Sequence, residues 1–276
     1  MGDSAFKYAK SWSDLIKVIE SLDVKGRWIF RGQAQDWPLA STLERSLSDW
    51  EIDLRLAPKI EHQLVREFRR QYDGEDRDLV MSDTLYCLAL MQHHGAPTRL
   101  LDWTYSPFAA TQFAIREGST SGVLWCLNTA WNRKAVQEIV GDIAVSPRDV
   151  DESRNDSSFL PLFMPDIPKK FVLAENPLRL SQRLIIQQGV FLCQGDISDT
   201  FINNITHLPG WDSERNVLKL YLAMDRKNLL KAAIHLQRMN LGSATLFPGL
   251  DGFGRSLKER LPHYHDYAKR GVGLPK

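Results

Sequence analysis

Apolar positions along the chain repeat mostly at helical spacing. In SWSDLIKVIESL (residues 11–22), Trp12, Leu15, Ile16, Ile19 and Leu22 share one face, and Ser11 or Ser13 stands where an N-cap accepts backbone N–H groups. Ser41 with Glu44 three residues on forms a capping-box pattern for a short helix ending near Trp50. Ile60, Leu64, Phe68 and Tyr72 recur every four residues through a charged stretch and stop at Gly74, which predicts a half-buried amphipathic helix. Another helix starts at Ser82 or Asp83, runs through Leu85, Leu88, Ala89 and Met91, and must end before Gly95 and Pro97. Ser106-Pro107 opens a helix whose apolar face holds Phe108, Thr111, Phe113 and Ala114, and Asp225 caps one that runs through Met239.

Between these segments the pattern shortens to strand-like runs. Arg27-Trp28-Ile29-Phe30 is bulky enough for a buried strand and delivers Arg31-Gly32-Gln33 at its C-terminal end. Residues 98–104 read as extended and feed the Ser106 helix; Gly122 to Leu127 and Val217 to Met224 read as further strands. RLIIQQGVFLC (183–193) is read as one strand interrupted at Gly189 by a bulge or turn. Residues 143–170 are polar and without period, so a long loop or insertion is expected. After a turn at Pro248-Gly249 a last helix closes the domain at residue 262, leaving 263–276 as a loose tail. Strands and helices interleave irregularly and no repeat is present, so α+β is expected rather than a doubly wound parallel sheet.

Composition narrows the class. The 276 residues carry 35 Lys+Arg against 34 Asp+Glu, with 43% hydrophobic and 25% charged residues, which excludes disorder, collagen and coiled coil. Near-neutral charge supplies no global field for a polyanion, although a local basic groove still binds one. Cys87, Cys126 and Cys193 are far apart and each lies in an apolar run, which suits buried free thiols in a reducing compartment. With no secretory h-region and no apolar run of about 20 residues, the expected location is cytoplasmic, with no membrane partner.

Candidate chemistry gathers at a few points. Arg31 follows a hydrophobic strand beside Gly32, whose missing side chain lets a ligand or another backbone come close. Its planar fork suits a pyrophosphate or carboxylate, and a structural ion pair is the alternative. His93 and His94 end a helix without an HExxH or CxxC pattern, so no metal is expected, and a hydrogen bond from His93 to the following turn competes with any acid–base role. Asp102 sits in an otherwise apolar strand and should pair with Arg31 or Arg99, or cap backbone N–H groups. Trp103 offers a flat face for a nicotinamide or base, or is plain core. Of Gln187 and Gln188, adjacent on a strand, one should be buried and hydrogen-bonded and the other face solvent or a cleft.

Taken together, IFRGQ (29–33), QHHGAPTRLLDWT (92–104), Ser106-Pro107 with Ala110, Phe113 and Ala114, Arg183 with QQGVF (187–191), and LFPGLDG (246–252) resemble the FRG domain family over roughly residues 25–260. His94 stands where that family usually has Tyr. A weaker resemblance, to ADP-ribosyltransferases of the Arg-Ser-Glu type, rests on Phe30-Arg31-Gly32, on Asp102-Trp103-Thr104 before Ala110–Ala114, and on Arg183 to Phe191.

What this second resemblance implies is a single ADP-ribosyltransferase-like domain (1–262) with a central split β-sheet core and flanking helices. It also implies NAD as substrate, no metal, a nucleic-acid or protein acceptor, and a toxin or phage-defence role with an antitoxin partner. Arg31, Asp102 and Gln188 are then the expected catalytic groups. Arg31, Gly32, Gln33, Trp103, Thr104, His93 and Arg99 are expected to bind the cofactor, with Tyr105 as a second stacking surface. Arg183 stands where the transferase Glu is expected, so Gln188, or the carboxylate of Asp102 or Asp251, takes its place. NAD hydrolysis without an acceptor is a variant of the same chemistry. A nuclease using His93, Arg99 and Asp102, or a non-catalytic ligand-sensing module, are the readings from other classes.

Overall fold

The computed structural model describes residues 6–22, 28–141, 156–177, 179 and 181–269. In chain order its elements are β1 (Phe6–Tyr8), α1 (Trp12–Ser21), β2 (Trp28–Gln33), α2 (Thr42–Asp49), α3 (Ala57–Gln71), α4 (Arg77–Ser82) and α5 (Thr84–His93). There follow β3 (Leu100–Thr104), α6 (Pro107–Ala114), β4 (Gly122–Asn128), α7 (Thr129–Val140), α8 (Asp156–Phe163), β5 (Val172–Glu175), α9 (Gln182–Ile186) and β6 (Gly189–Gln194). The chain ends through α10 (Phe201–Thr206), β7 (Val217–Leu222), α11 (Arg226–Arg238), α12 (Ser243–Leu246) and α13 (Leu250–Lys269).

Among the described residues seven strands form one mixed sheet in the order β1-β7-β4-β2-β3-β6-β5, in which only the β1–β7 pair is parallel. This is the α+β class that the irregular interleaving predicts. Side-chain alternation divides the sheet into two apolar faces. Trp28, Phe30, Leu124, Cys126, Leu218 and Leu220 pack with α1, α6 and α11 on one side. On the other, Ile29, Trp103, Val123, Trp125 and Leu127 join a larger core under α3, α5, α7 and α8.

The helix starts follow the local signals. Ser11, Ser41, Ser106 and Asp225 each accept a backbone N–H from the third residue on. Glu44 does not close its capping box: its carboxylate accepts from Phe201 N at 2.8 Å instead and ties α2 to the start of α10.

Three expectations are corrected. The segment 183–193 is not one strand. Ser181 caps α9 by accepting from Leu184 N, Gln188 turns the chain at φ 48°, and only Gly189 onward is strand. The β-branched pair Ile185-Ile186 suggests a strand, yet Ile185 is 60% exposed on the short helix. The expected loop over 143–170 contains helix α8 at 156–163, whose Phe159 and Phe163 are fully buried; residues 142–155 lie outside the described residues. The expected tail is helical as far as Lys269, because α13 continues past Pro262; residues 270–276 lie outside the described residues.

Candidate functional site in the sheet split

β2 and β3 lie side by side but pair at a single position, Phe30 with Thr104, whereas β2 pairs with β4 along all six of its residues. Beyond Phe30 the two strands part. Arg31 spans the opening: its Nη1 donates to the Asp102 carbonyl oxygen at 2.6 Å, a side-chain bond in place of a ladder bond. A cavity of about 1080 Å³ opens over this split. Arg31, Gly32 and Gln33 from β2 and Asp102, Trp103 and Thr104 from β3 border it, as do α2, the ends of α5 and α6, α9, and the α12–α13 turn.

Arg31 is half-buried, and its Nε is sealed from solvent with no partner. Burial brings its pKa down to about 10, with Asp102 acting in the opposite direction and the like charge of Arg45 adding to the decrease. The cavity is thus bordered by a half-buried guanidinium, whose accessible N–H groups suit an anion, while the sealed Nε stays beyond a ligand's reach. Arg45, Arg116, Arg183 and Arg255 also border the cavity, so five arginines face three carboxylates: Glu44, Asp102 and Asp251. Phe247 lies between two of these cations, 5.2 Å from the Arg183 guanidinium and 5.1 Å from that of Arg255.

Asp102 pairs with neither arginine side chain. Its exposed carboxylate accepts from Gln92 Nε2 at 2.8 Å, and the Gln92 carbonyl in turn accepts from the Thr98 hydroxyl. Gln92 therefore fixes the direction of the carboxylate beside Arg31. His93 ends α5 and borders both this cavity and a smaller one of about 370 Å³ beside Ser181, Arg183 and Gly249. Partial burial, then the neighbouring His94 and Arg183 charges, push the His93 pKa below its ordinary value.

Several expected site residues have structural work instead. Arg99 is 2% exposed and absent from the cavity wall: its Nε donates to both Glu61 carboxylate oxygens at 3.0 and 2.9 Å, and its Nη1 to the carbonyls of Phe163 and Gln194. A binding role for Arg99 is thereby corrected, and the nuclease set of His93, Arg99 and Asp102 is not brought together. Gln188 is exposed and does not border the cavity, so its expected place in the cleft is also corrected. Gln187 is the one that borders it, 7% exposed, with Nε2 donating to Leu246 O at 2.8 Å. The turn at Gln188 rotates these two side chains in a way that strand alternation does not describe.

Gly32 is small because a helix presses on it: a Cβ there would fall 1.7 Å from Ala110 O on α6. Of its two expected neighbours, another backbone is the one found. Gln33 accepts from Trp125 Nε1 at 3.0 Å, and Thr104 Oγ1 donates to Gln187 O at 2.5 Å, which ties β3 to the end of α9. Trp103 is 3% exposed and belongs to the core, though its indole N–H has no partner. Tyr105 accepts from Asn176 Nδ2 at 3.0 Å and does not border the cavity.

Sequence reading missed Trp37, Arg45 and Arg255. The one signal for Trp37 was an aromatic residue followed by proline in a polar loop directly after the Arg31 strand. Among the described residues no group of three His, Cys, Asp or Glu side chains is placed to hold a metal. No described helix is long and apolar enough to cross a membrane. The three cysteines are buried thiols outside any disulfide, and burial first of all raises the Cys87 thiol to about 11.

Residues 26–122 match the family model of the FRG domain, a span that runs from the approach to β2 to the first residue of β4 and includes Arg31, His93 and Asp102. The Arg183 and Phe247 sides of the cavity lie outside that span. No curated protein and no solved structure matches the chain.

Proposed function

Taking the chain as one that carries an FRG domain at residues 26–122, we propose that the split-sheet cavity binds NAD and that the protein transfers its ADP-ribose to a nucleic-acid or protein acceptor. The observation that carries this reading is Arg31, a half-buried guanidinium that borders the cavity together with four further arginines. A pyrophosphate is the ligand group that satisfies such donors bidentately.

In the proposed reaction the ribosyl C1′–nicotinamide bond breaks, and nicotinamide leaves with the electron pair as a neutral ring. The acceptor nucleophile bonds to C1′ and gives up its proton to solvent or a basic side chain. The transition state is oxocarbenium-like, so an anion beside the ribose stabilises it. Asp102 is the carboxylate proposed for that place, since Gln92 orients it next to Arg31; Gln188 has no part in it. Such a transferase acting in its own cell, as a toxin or phage-defence effector, requires a neutralising antitoxin protein.

A second reading has its own support. Arg183 rather than a carboxylate comes to the cavity from the third block, which favours nucleotide sensing without turnover. Labelled NAD mixed with the protein and RNA, DNA or lysate decides between them. Released nicotinamide and label on the acceptor support transfer; saturable binding of intact NAD supports sensing; absence of binding removes both.

A further inference from the structure

Trp37 borders the Arg31 cavity and is 50% exposed. It lies on the loop that leaves β2 after Gln33, and that loop is braced from β7, two strands away in the same sheet. The Asp36 carboxylate accepts from Lys219 Nζ at 2.5 Å and from the Tyr221 hydroxyl at 2.9 Å, both on β7. The Lys219 ammonium is 4.9 Å from the ring centroid of Trp125 and 5.0 Å from that of Tyr221, and Tyr8 on β1 stacks on Tyr221 at 5.3 Å. Ser119 donates to the Ala34 carbonyl and holds the start of the same loop. The Lys219 side chain is only 13% exposed, so this pair is partly desolvated and better defined than an ordinary surface ion pair. Asp36, the residue before this cavity-lining indole, is thus anchored by a brace two strands away.

We infer that Trp37 is the ring-binding wall of the cavity, that its ligand joins a flat heterocycle to phosphate, and that Asp36, Lys219 and Tyr221 are positioning residues that hold the indole for it. This rests on the proposed nucleotide reading in one respect: the arginines take the phosphates. It adds where the ring goes and what sets its place. Stacking of one base on one aromatic side chain is worth roughly tenfold in affinity. A phosphate-only ligand has no ring and gains nothing from Trp37.

The test uses the full chain and two probes, ADP and inorganic pyrophosphate, in calorimetric titrations. Trp37→Ala should weaken ADP about tenfold and leave pyrophosphate unchanged, and Trp37→Phe should restore most of the loss. Tyr221→Phe removes only the hydroxyl that holds Asp36. It should weaken ADP several-fold in the native background and have no effect in the Trp37→Ala background, a coupling that a merely structural role would not produce. Equal weakening of both probes, no weakening of ADP, or a Tyr221→Phe effect that persists without Trp37 overturns the inference. If the native chain binds neither probe, both this inference and the nucleotide reading fall. If it binds both with the expected ratios and does not consume NAD, the transferase reading alone falls.

Discussion

Gly32→Ala separates two explanations of the glycine that follows Arg31. The added Cβ would lie 1.7 Å from Ala110 O, 2.8 Å from Ala110 C and 2.8 Å from Ala114 N, all backbone atoms of α6, where ordinary contact begins near 3.4 Å. The helix backbone must retreat by roughly 1.7 Å, since no flexible side chain is there to swing away. A second glycine makes that retreat harder. Gly122 on β4 lies under the same helix, and a Cβ there would be 2.3 Å from Ala114 O. Ala110 and Ala114 are fully buried, so lifting α6 opens voids along both strands. Overpacking of a core usually costs about 1–3 kcal/mol, and a rigid backbone neighbour places this case near 3 kcal/mol. For a chain of this size that lowers Tm by about 6–12 °C. Thermal and urea unfolding followed by circular dichroism measure it. A Gly32→Ala protein that melts with the native chain but no longer binds ADP or NAD would refute the packing explanation, and would show that the glycine is needed for close approach of a ligand.

Arg31→Ala should stay folded, with Tm unchanged or slightly raised because an incompletely partnered buried cation is removed, and should lose at least tenfold in pyrophosphate affinity; an unfolded variant would show the guanidinium to be structural. Arg99→Ala leaves Glu61 buried and unpaired and should cost about 3–5 kcal/mol of stability; a native-like unfolding midpoint would contradict the ion-pair assignment. The His93 pKa lies below its ordinary value in the free protein, so the native state takes up protons less readily than the unfolded chain and stability declines as pH falls below the ordinary His range. A bound pyrophosphate reverses the local charge, so NAD affinity should rise as pH is lowered from 8 to 6, and His93→Gln should flatten that dependence; an unchanged slope in His93→Gln would place the titrating group elsewhere. Gln188→Gly relieves the φ of 48° and should stabilise the chain by about 0.5–1 kcal/mol without loss of binding; lost binding would return Gln188 to the site.

The sequence by itself determined the elements whose signals are local. Ser41, Ser106 and Asp225 cap helices because a cap and its N–H partner are three residues apart, and β2, β4 and β7 are short runs of the bulky aromatic and aliphatic residues that a half-buried pleated surface favours. The blocks carrying Arg31 and Asp102 were likewise legible as the FRG pattern, and they do meet at the split between β2 and β3. Tertiary structure alone decided what each of those groups meets. Arg31 and Arg99 both accompany apolar strand runs, yet Arg99 finds Glu61, 38 residues earlier on α3, while Arg31 finds a backbone carbonyl at the edge of a cavity. Nothing near either arginine in the chain distinguishes them, because the difference is the sheet order and the helix laid over it. The same holds for Gln187 and Gln188, where one turn residue chooses the buried side chain, and for Trp37, Arg45 and Arg255, which come from three separate segments. Helix caps and apolar periods are interactions along the chain; the charge balance of the cavity depends on contacts between segments that only the packed fold brings together.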